Sequence, residues 1–200
     1  GVYQALHEAG LEPDWVAGVS IGAINSAIIA GNKPEHRVEK LERFWMDITS
    51  RDPFTAWPEG DTPRRLRNAL SAANTMLCGQ PGFFRPSPTH GWFAPRGSRG
   101  ATSLYDSSPL HSTLEQLVDF DLLNSGALRF AVGAVNVASA NFIYFDNAEI
   151  EITPEHVMAS GALPPALPMV QIGRHYYWDG GLVSNTPLQH LIDHCGHNNM

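Results

Sequence analysis

The sequence predicts an α/β fold: a mainly parallel central sheet with helices on both faces. Three observations lead there. An apolar run, Trp15-Val16-Ala17-Gly18-Val19, passes directly into an Ala/Ile-rich stretch with helical character from about Ile21 to Ala30. A helical pattern from Val2 to Ala9 precedes that run, and helix, strand, helix is the syntax of a sheet covered by helices. The 200 residues are 43% hydrophobic and 16% charged, enough apolar surface for one domain with a real core.

Each element follows from its own residues. Val2, Ala5, Leu6 and Ala9 recur at helical spacing before a stop at Gly10. A parallel sheet ordinarily has a strand before such a helix. The chain is therefore expected to lack an N-terminal strand and the loop after it, and a C-terminal portion as well. Gly31 ends the helix that starts at Ile21. Pro34 opens another, to about Ile48, with Val38, Leu41, Phe44, Trp45 and Ile48 as its apolar stripe. Thr62-Pro63 reads as the cap of a helix to about Leu77. Residues 78–100 are rich in Gly, Pro, Arg and Phe without periodicity, a long loop.

Ser108-Pro109 starts a helix to Leu117 or Val118. Leu128 to Val137 reads as a buried strand, and a turn at Ser139-Ala140-Asn141 leads to its hairpin mate, Phe142-Ile143-Tyr144-Phe145. Thr153-Pro154 begins a short helix to about Ser160. Tyr176-Tyr177-Trp178 is a last strand running into Asp179-Gly180-Gly181, and Thr186-Pro187 caps the final helix.

Composition excludes several functions. Lys+Arg 13 against Asp+Glu 20 gives a net charge of −7, a poor match to nucleic acid, which needs basic patches. No apolar run is long enough to span a bilayer. Cys78 and Cys195 lie far apart outside any C-x-x-C pattern, which suits a reducing, cytoplasmic compartment.

Gly18-Val19-Ser20-Ile21-Gly22 is a G-x-S-x-G at a predicted strand-to-helix turn. Such a sharp turn exposes the serine hydroxyl and requires small neighbours. The helix N-terminus behind it offers free N–H groups to a developing oxyanion, with the Ile21 N–H as the natural donor. In a chain with 18 glycines the pentapeptide also arises by chance; the strand before it and the helix after it argue for a nucleophile.

A serine nucleophile needs a base. His190, His194 and His197 follow the Thr186-Pro187 cap, with no sign of a loop aimed at the serine. His190 and His194 have the i,i+4 spacing of zinc ligands, but Leu191 replaces the glutamate of H-E-x-x-H, and a solvated helix face is expected instead. Asp179 leaves an aromatic strand and enters two glycines that permit a tight turn and the close approach of another segment. Taken alone, Asp-Gly-Gly fits an ordinary turn as well as a catalytic carboxylate.

Together these blocks resemble the patatin-like phospholipases, acyl hydrolases with a Ser–Asp dyad. The matching residues are Gly18-Val19-Ser20-Ile21-Gly22 with Ala23 and Asn25 behind it, Asp179-Gly180-Gly181 with Asn185 and Pro187 after it, and Ala159-Ser160-Gly161-Ala162-Leu163-Pro164 between them. The resemblance covers nearly the whole chain and is weakest over residues 51–105. It implies that Ser20 attacks a lipid ester to form an acyl-enzyme and that Asp179 is the general base. Ile21 N–H would face the oxyanion, and Gly18, Gly22, Gly180 and Gly181 would shape the two turns. Gly1 matches the last glycine of the family's glycine-rich oxyanion loop, the rest of which is expected to be absent.

No metal or organic cofactor is implied. Leu167 stands where the family often carries an aromatic residue. Trp92, Phe93, Phe83 and Phe84 leave two readings open: peripheral contact with a lipid surface, or packing of their own loop. Two other functions stay open: a Ser-His-Asp esterase of another α/β fold, and a non-catalytic patatin-fold interaction module.

Overall fold

The computed structural model of the chain describes residues 1–49, 60–87 and 102–195. The elements run α1 (Val2–Glu8), β1 (Trp15–Gly18), α2 (Ile21–Ala30), α3 (Pro34–Thr49), α4 (Asp61–Cys78), β2 (Arg85–Pro86), β3 (Tyr105–Asp106), α5 (Ser108–Leu117) and α6 (Phe120–Asn124). They continue with β4 (Arg129–Asn136), β5 (Phe142–Asp146), α7 (Pro154–Ser160), β6 (Val170–Ile172), β7 (His175–Asp179), a 3-10 turn (Gly180–Leu182) and α8 (Leu188–His194).

The architecture is α/β, as expected, but the sheet is mixed. β1 pairs parallel to β4, while β5 and β7 pair antiparallel to β4 and β6 antiparallel to β7. The expectation of a mainly parallel sheet is thus corrected among the described residues. The reason lies in β4. Its residues 131–135 pair with β5 along one edge. Its other edge takes β1 at residues 129–132 and β7 at 134–136. Two strands therefore meet end to end beside β4, one arriving at Gly18 and the other at Asp179, with Gly133 opposite the junction.

One face of the sheet carries the core. Phe130, Val132 and Ala134 of β4, with Phe145 and Tyr177, meet Ala23, Ile24, Ala27 and Ile28 of α2, Leu110 and Leu114 of α5, and Val157 of α7. Helix α2 is apolar nearly all round, and so it lies in the interior. Each large side chain buried here contributes about 1.5–3 kcal/mol. On the opposite face Arg129 stacks 3.9 Å over Trp15 and donates two hydrogen bonds to Asp146, which is 3% exposed.

That face is covered in part by α8. The His190 ring stacks 3.7 Å from Tyr144 and meets Trp15 edge-on, and burial pushes its pKa below the ordinary value. The expected solvated face is correct for exposed His194 and wrong for half-buried His190; His197 lies outside the described residues.

Other differences are local. In α3 only Phe44 and Ile48 of the predicted stripe are fully buried, and Trp45 is 44% exposed. The cap of α4 is Gly60, not Thr62. β6, missed in the sequence, pairs with β7 across a turn at Gly173. Phe83 packs against the core and Phe84 against Tyr105, so these two pack their own loop; Trp92 and Phe93 lie outside the described residues.

Candidate active site

β1 ends at Gly18, and two residues later the chain reverses into α2. A Cβ on Gly18 would lie 2.3 Å from the Gly22 carbonyl carbon, so only glycine admits this turn. At Gly22 a Cβ would meet open space among the described residues; the requirement for small neighbours holds on one side of the serine only. Ser20, the N-cap of α2, has φ 57 and ψ −125, a conformation costing about 1–3 kcal/mol that the surroundings must sustain. The Ile21 N–H is the first of the helix and has no intrahelical acceptor.

Ser20 Oγ donates a 2.7 Å hydrogen bond to Asp179 Oδ2 across a separation of 159 residues. Asp179 is 2% exposed, and its Oδ1 accepts from Gly181 N–H at 2.7 Å. Its backbone N–H donates to the Ala162 carbonyl. Gly180 fits for the same reason as Gly18: a Cβ there would lie 2.6 Å from the Gly133 carbonyl oxygen. Gly181 is less constrained, its nearest neighbour being Asp179 Oδ1 at 3.1 Å.

Ser160, at the end of α7, links the two halves. It is completely buried; its hydroxyl donates to the Gly133 carbonyl at 2.7 Å and accepts from Ser20 N–H at 3.0 Å. Ser20 N–H also reaches the Ser160 carbonyl at 3.1 Å. The Gly133 carbonyl faces the junction of β1 and β7, and the Ser160 hydroxyl supplies a donor there. The block from Ala159 to Pro164 is recognisable in the sequence, but no local pattern there assigns Ser160 a task. A lone serine at a helix end is too common a signal to single out.

Gly1 caps α1 and accepts from Ala5 N–H. It lines a cavity of about 320 Å³ between α1, α2 and α3. α1 is held to α3 by the nearly buried Arg37, which donates to Glu12 at 2.8 Å; Tyr3 donates to the same carboxylate and His7 bonds it too. Burial would raise the Glu12 pKa, but these bonds outweigh it and hold it below the ordinary value. Leu167 is buried. Cys78 and Cys195 are free thiols, and no described helix is long and apolar enough to cross a membrane.

The family model of the patatin-like phospholipases matches residues 1–192. The chain belongs to this family, one of lipid acyl hydrolases in general. No curated protein matches the sequence. Among solved structures, the crystal structure of VipD from Legionella pneumophila is similar with a TM-score of 0.48 at 14% identity, covering 92% of this chain and 43% of that one. The chain thus spans less than half of that protein.

Proposed function

We propose that the protein is a serine acyl hydrolase of lipase or phospholipase A type, cleaving carboxylic ester bonds of lipids. Ser20 is the nucleophile and Asp179 the general base. The observation that carries this reading is the 2.7 Å bond between a hydroxyl on a strained turn and a buried carboxylate. As Ser20 Oγ bonds to the ester carbon, its proton passes to Asp179 Oδ2. The developing oxyanion faces the Ile21 N–H, with the Gly1 segment as the second wall. The alcohol leaves with that proton. Water then attacks the acyl-enzyme, giving a proton to Asp179 and releasing the acid as Ser20 recovers its hydrogen.

A carboxylate is a weaker base for a serine hydroxyl than the histidine more often used. Contact at hydrogen-bond distance in a water-poor site compensates for this, together with a preorganised oxyanion donor. The substrate is a lipid ester, met by a cytoplasmic protein at a membrane surface. The acidic partner of Ser20, with His190 committed to Tyr144, favours this over a Ser-His-Asp esterase.

The test is hydrolysis of a chromogenic acyl ester by the full-length protein and its Ser20→Ala and Asp179→Asn variants. Each substitution is expected to lower kcat at least about 10²-fold with an unchanged circular dichroism spectrum. An active Ser20→Ala protein refutes the assignment. A comparable loss on replacing His190 or His194 favours the histidine-based alternative.

A further inference from the structure

We infer that α4 docks on an anionic phospholipid bilayer, with its apolar stripe in the surface layer and its arginines at the headgroups. The inference rests on the hydrolase reading for its purpose, bringing the protein to lipid esters. Its chemistry rests on α4 alone.

α4 is built inside out. Its half-buried positions are Pro63, Arg67, Ser71, Asn74 and Thr75, at i, i+4, i+8, i+11 and i+12, one face of a helix. All but the proline are polar, and these four line a cavity of about 510 Å³. The other face is apolar. Leu66, Ala69, Leu70, Ala73, Met76 and Leu77 are all exposed, Leu77 to 77%. Leu66, Leu70, Ala73 and Leu77 follow steps of four, three and four, a continuous stripe on a helix about 27 Å long.

A surface helix ordinarily turns such a stripe toward the core. This one is held the other way at its C-terminal end. The Tyr105 hydroxyl donates to the Met76 carbonyl at 2.7 Å, and the Gln80 amide bonds the Ile48 carbonyl. Among the described elements α4 packs chiefly on β2. Its apolar side is left to an outside partner, a protein or a membrane.

Charge selects the membrane. Arg64, Arg65 and Arg67 lie in the first two turns, and the one acid of the helix, Asp61, is held by Arg64 at 3.0 Å. Residues 62–87 contain four Arg and no Asp or Glu, in a chain of net charge −7. A basic amphipathic helix in an otherwise acidic protein is complementary to anionic headgroups. A second copy of α4 matches less well: its arginines would meet one carboxylate, already paired, and other arginines. α4 is not apolar enough to cross a membrane, so it lies in the plane of the surface.

The experiment is co-sedimentation of the full-length Ser20→Ala protein, which leaves lipid intact. The vesicles are phosphatidylcholine alone or an equal mixture of phosphatidylcholine and phosphatidylglycerol. Binding should favour the mixed vesicles at least about tenfold and weaken as salt rises. An arginine at an anionic surface is worth about fivefold, so Arg64→Gln with Arg65→Gln should lower partitioning about 25-fold. Leu66→Gln with Leu77→Gln should lower it at least about tenfold. These side chains are exposed, so circular dichroism should not change. Partitioning within twofold of the parent in both double variants overturns the inference, and so does equal binding to neutral and mixed vesicles. A dimer that Leu66→Gln with Leu77→Gln splits, in a protein that ignores vesicles, assigns the stripe to a second copy and refutes the membrane.

Dissolved p-nitrophenyl butyrate separates docking from the hydrolase reading. With Ser20 in place, both double variants should hydrolyse it within twofold of wild type while losing activity on vesicle lipid. Butyrate hydrolysis without α4-dependent binding refutes docking alone. Binding that depends on α4 with no ester hydrolysed refutes the hydrolase reading and leaves docking in place.

Discussion

Replacing Ser160 with Ala deletes one fully buried oxygen that bonds in two directions, to the Gly133 carbonyl at 2.7 Å and from Ser20 N–H at 3.0 Å. Ser20 N–H keeps the Ser160 backbone carbonyl at 3.1 Å. The Gly133 carbonyl loses its side-chain donor. An unsatisfied buried acceptor costs about 1–3 kcal/mol. In a domain of this size each kcal/mol moves Tm by about 2–4 °C, so a fall of about 2–12 °C is expected. The strained Ser20 also loses one of the contacts that sustain φ 57. If about 1–2 kcal/mol of its preorganisation goes with that contact, kcat falls about 5–30-fold. KM should hardly change, because the hydroxyl faces Gly133 and Ser20 rather than a substrate. Thermal unfolding and steady-state hydrolysis on the full-length Ser160→Ala protein measure both effects. An unchanged Tm refutes the accounting of the buried bond. A lowered Tm with kcat within twofold of wild type reduces Ser160 to a packing role.

Two further outcomes are expected. Gly18→Ala drives a methyl into backbone of the first turn of α2; overpacking typically costs about 1–3 kcal/mol, and the rigidity of the clashing atoms puts this variant at or above the upper end, read as a Tm loss at least as large as that of Ser160→Ala. His156 has its pKa lowered, chiefly by burial, and its Nδ1 accepts from Thr153 N–H in the capping box of α7. Below about 6.5 the unfolded chain takes up a proton that the folded His156 resists, so stability is full above that pH and declines as pH falls toward the folded pKa, by up to about 1.4 kcal/mol per pH unit. His156→Gln, which preserves the capping box, should flatten that decline in urea titrations between pH 7 and 5; an identical slope in both proteins would rule the mechanism out.

Much of the fold is legible locally. The span of α2 from Ile21 to Ala30, the Pro34 start of α3, the Ser108 start of α5, the hairpin of β4 and β5, and the Thr153-Pro154 start of α7 all follow from periodicity, proline placement and turn residues within a few positions. The strand-to-helix turn at Ser20 and the glycines after Asp179 were legible for the same reason. β6 was not: Val170–Ile172 is too short to show alternation, and it is a strand because β7 lies beside it. Trp45 sits in an apolar stripe by spacing, yet a helix of that length has more apolar positions than the core has room for, and a bond to Asn25 settles where the indole goes.

The sequence by itself marked the candidate residues, Ser20 on its strand-to-helix turn and Asp179 before two glycines, because turns, caps and tight glycine corners are written in neighbouring side chains. The tertiary structure alone decided how they meet. β1 and β7 share one edge of β4 and abut at Gly133, which makes the sheet mixed and brings Ser20 within 2.7 Å of Asp179. It also decided that Ser160 bridges that junction and that His190 is spent on Tyr144. Strand order and edge sharing depend on pairings such as Asn136 with Tyr177 and Trp15 with Arg129, far apart in sequence, and no local pattern of propensity or spacing encodes which edge a strand will take.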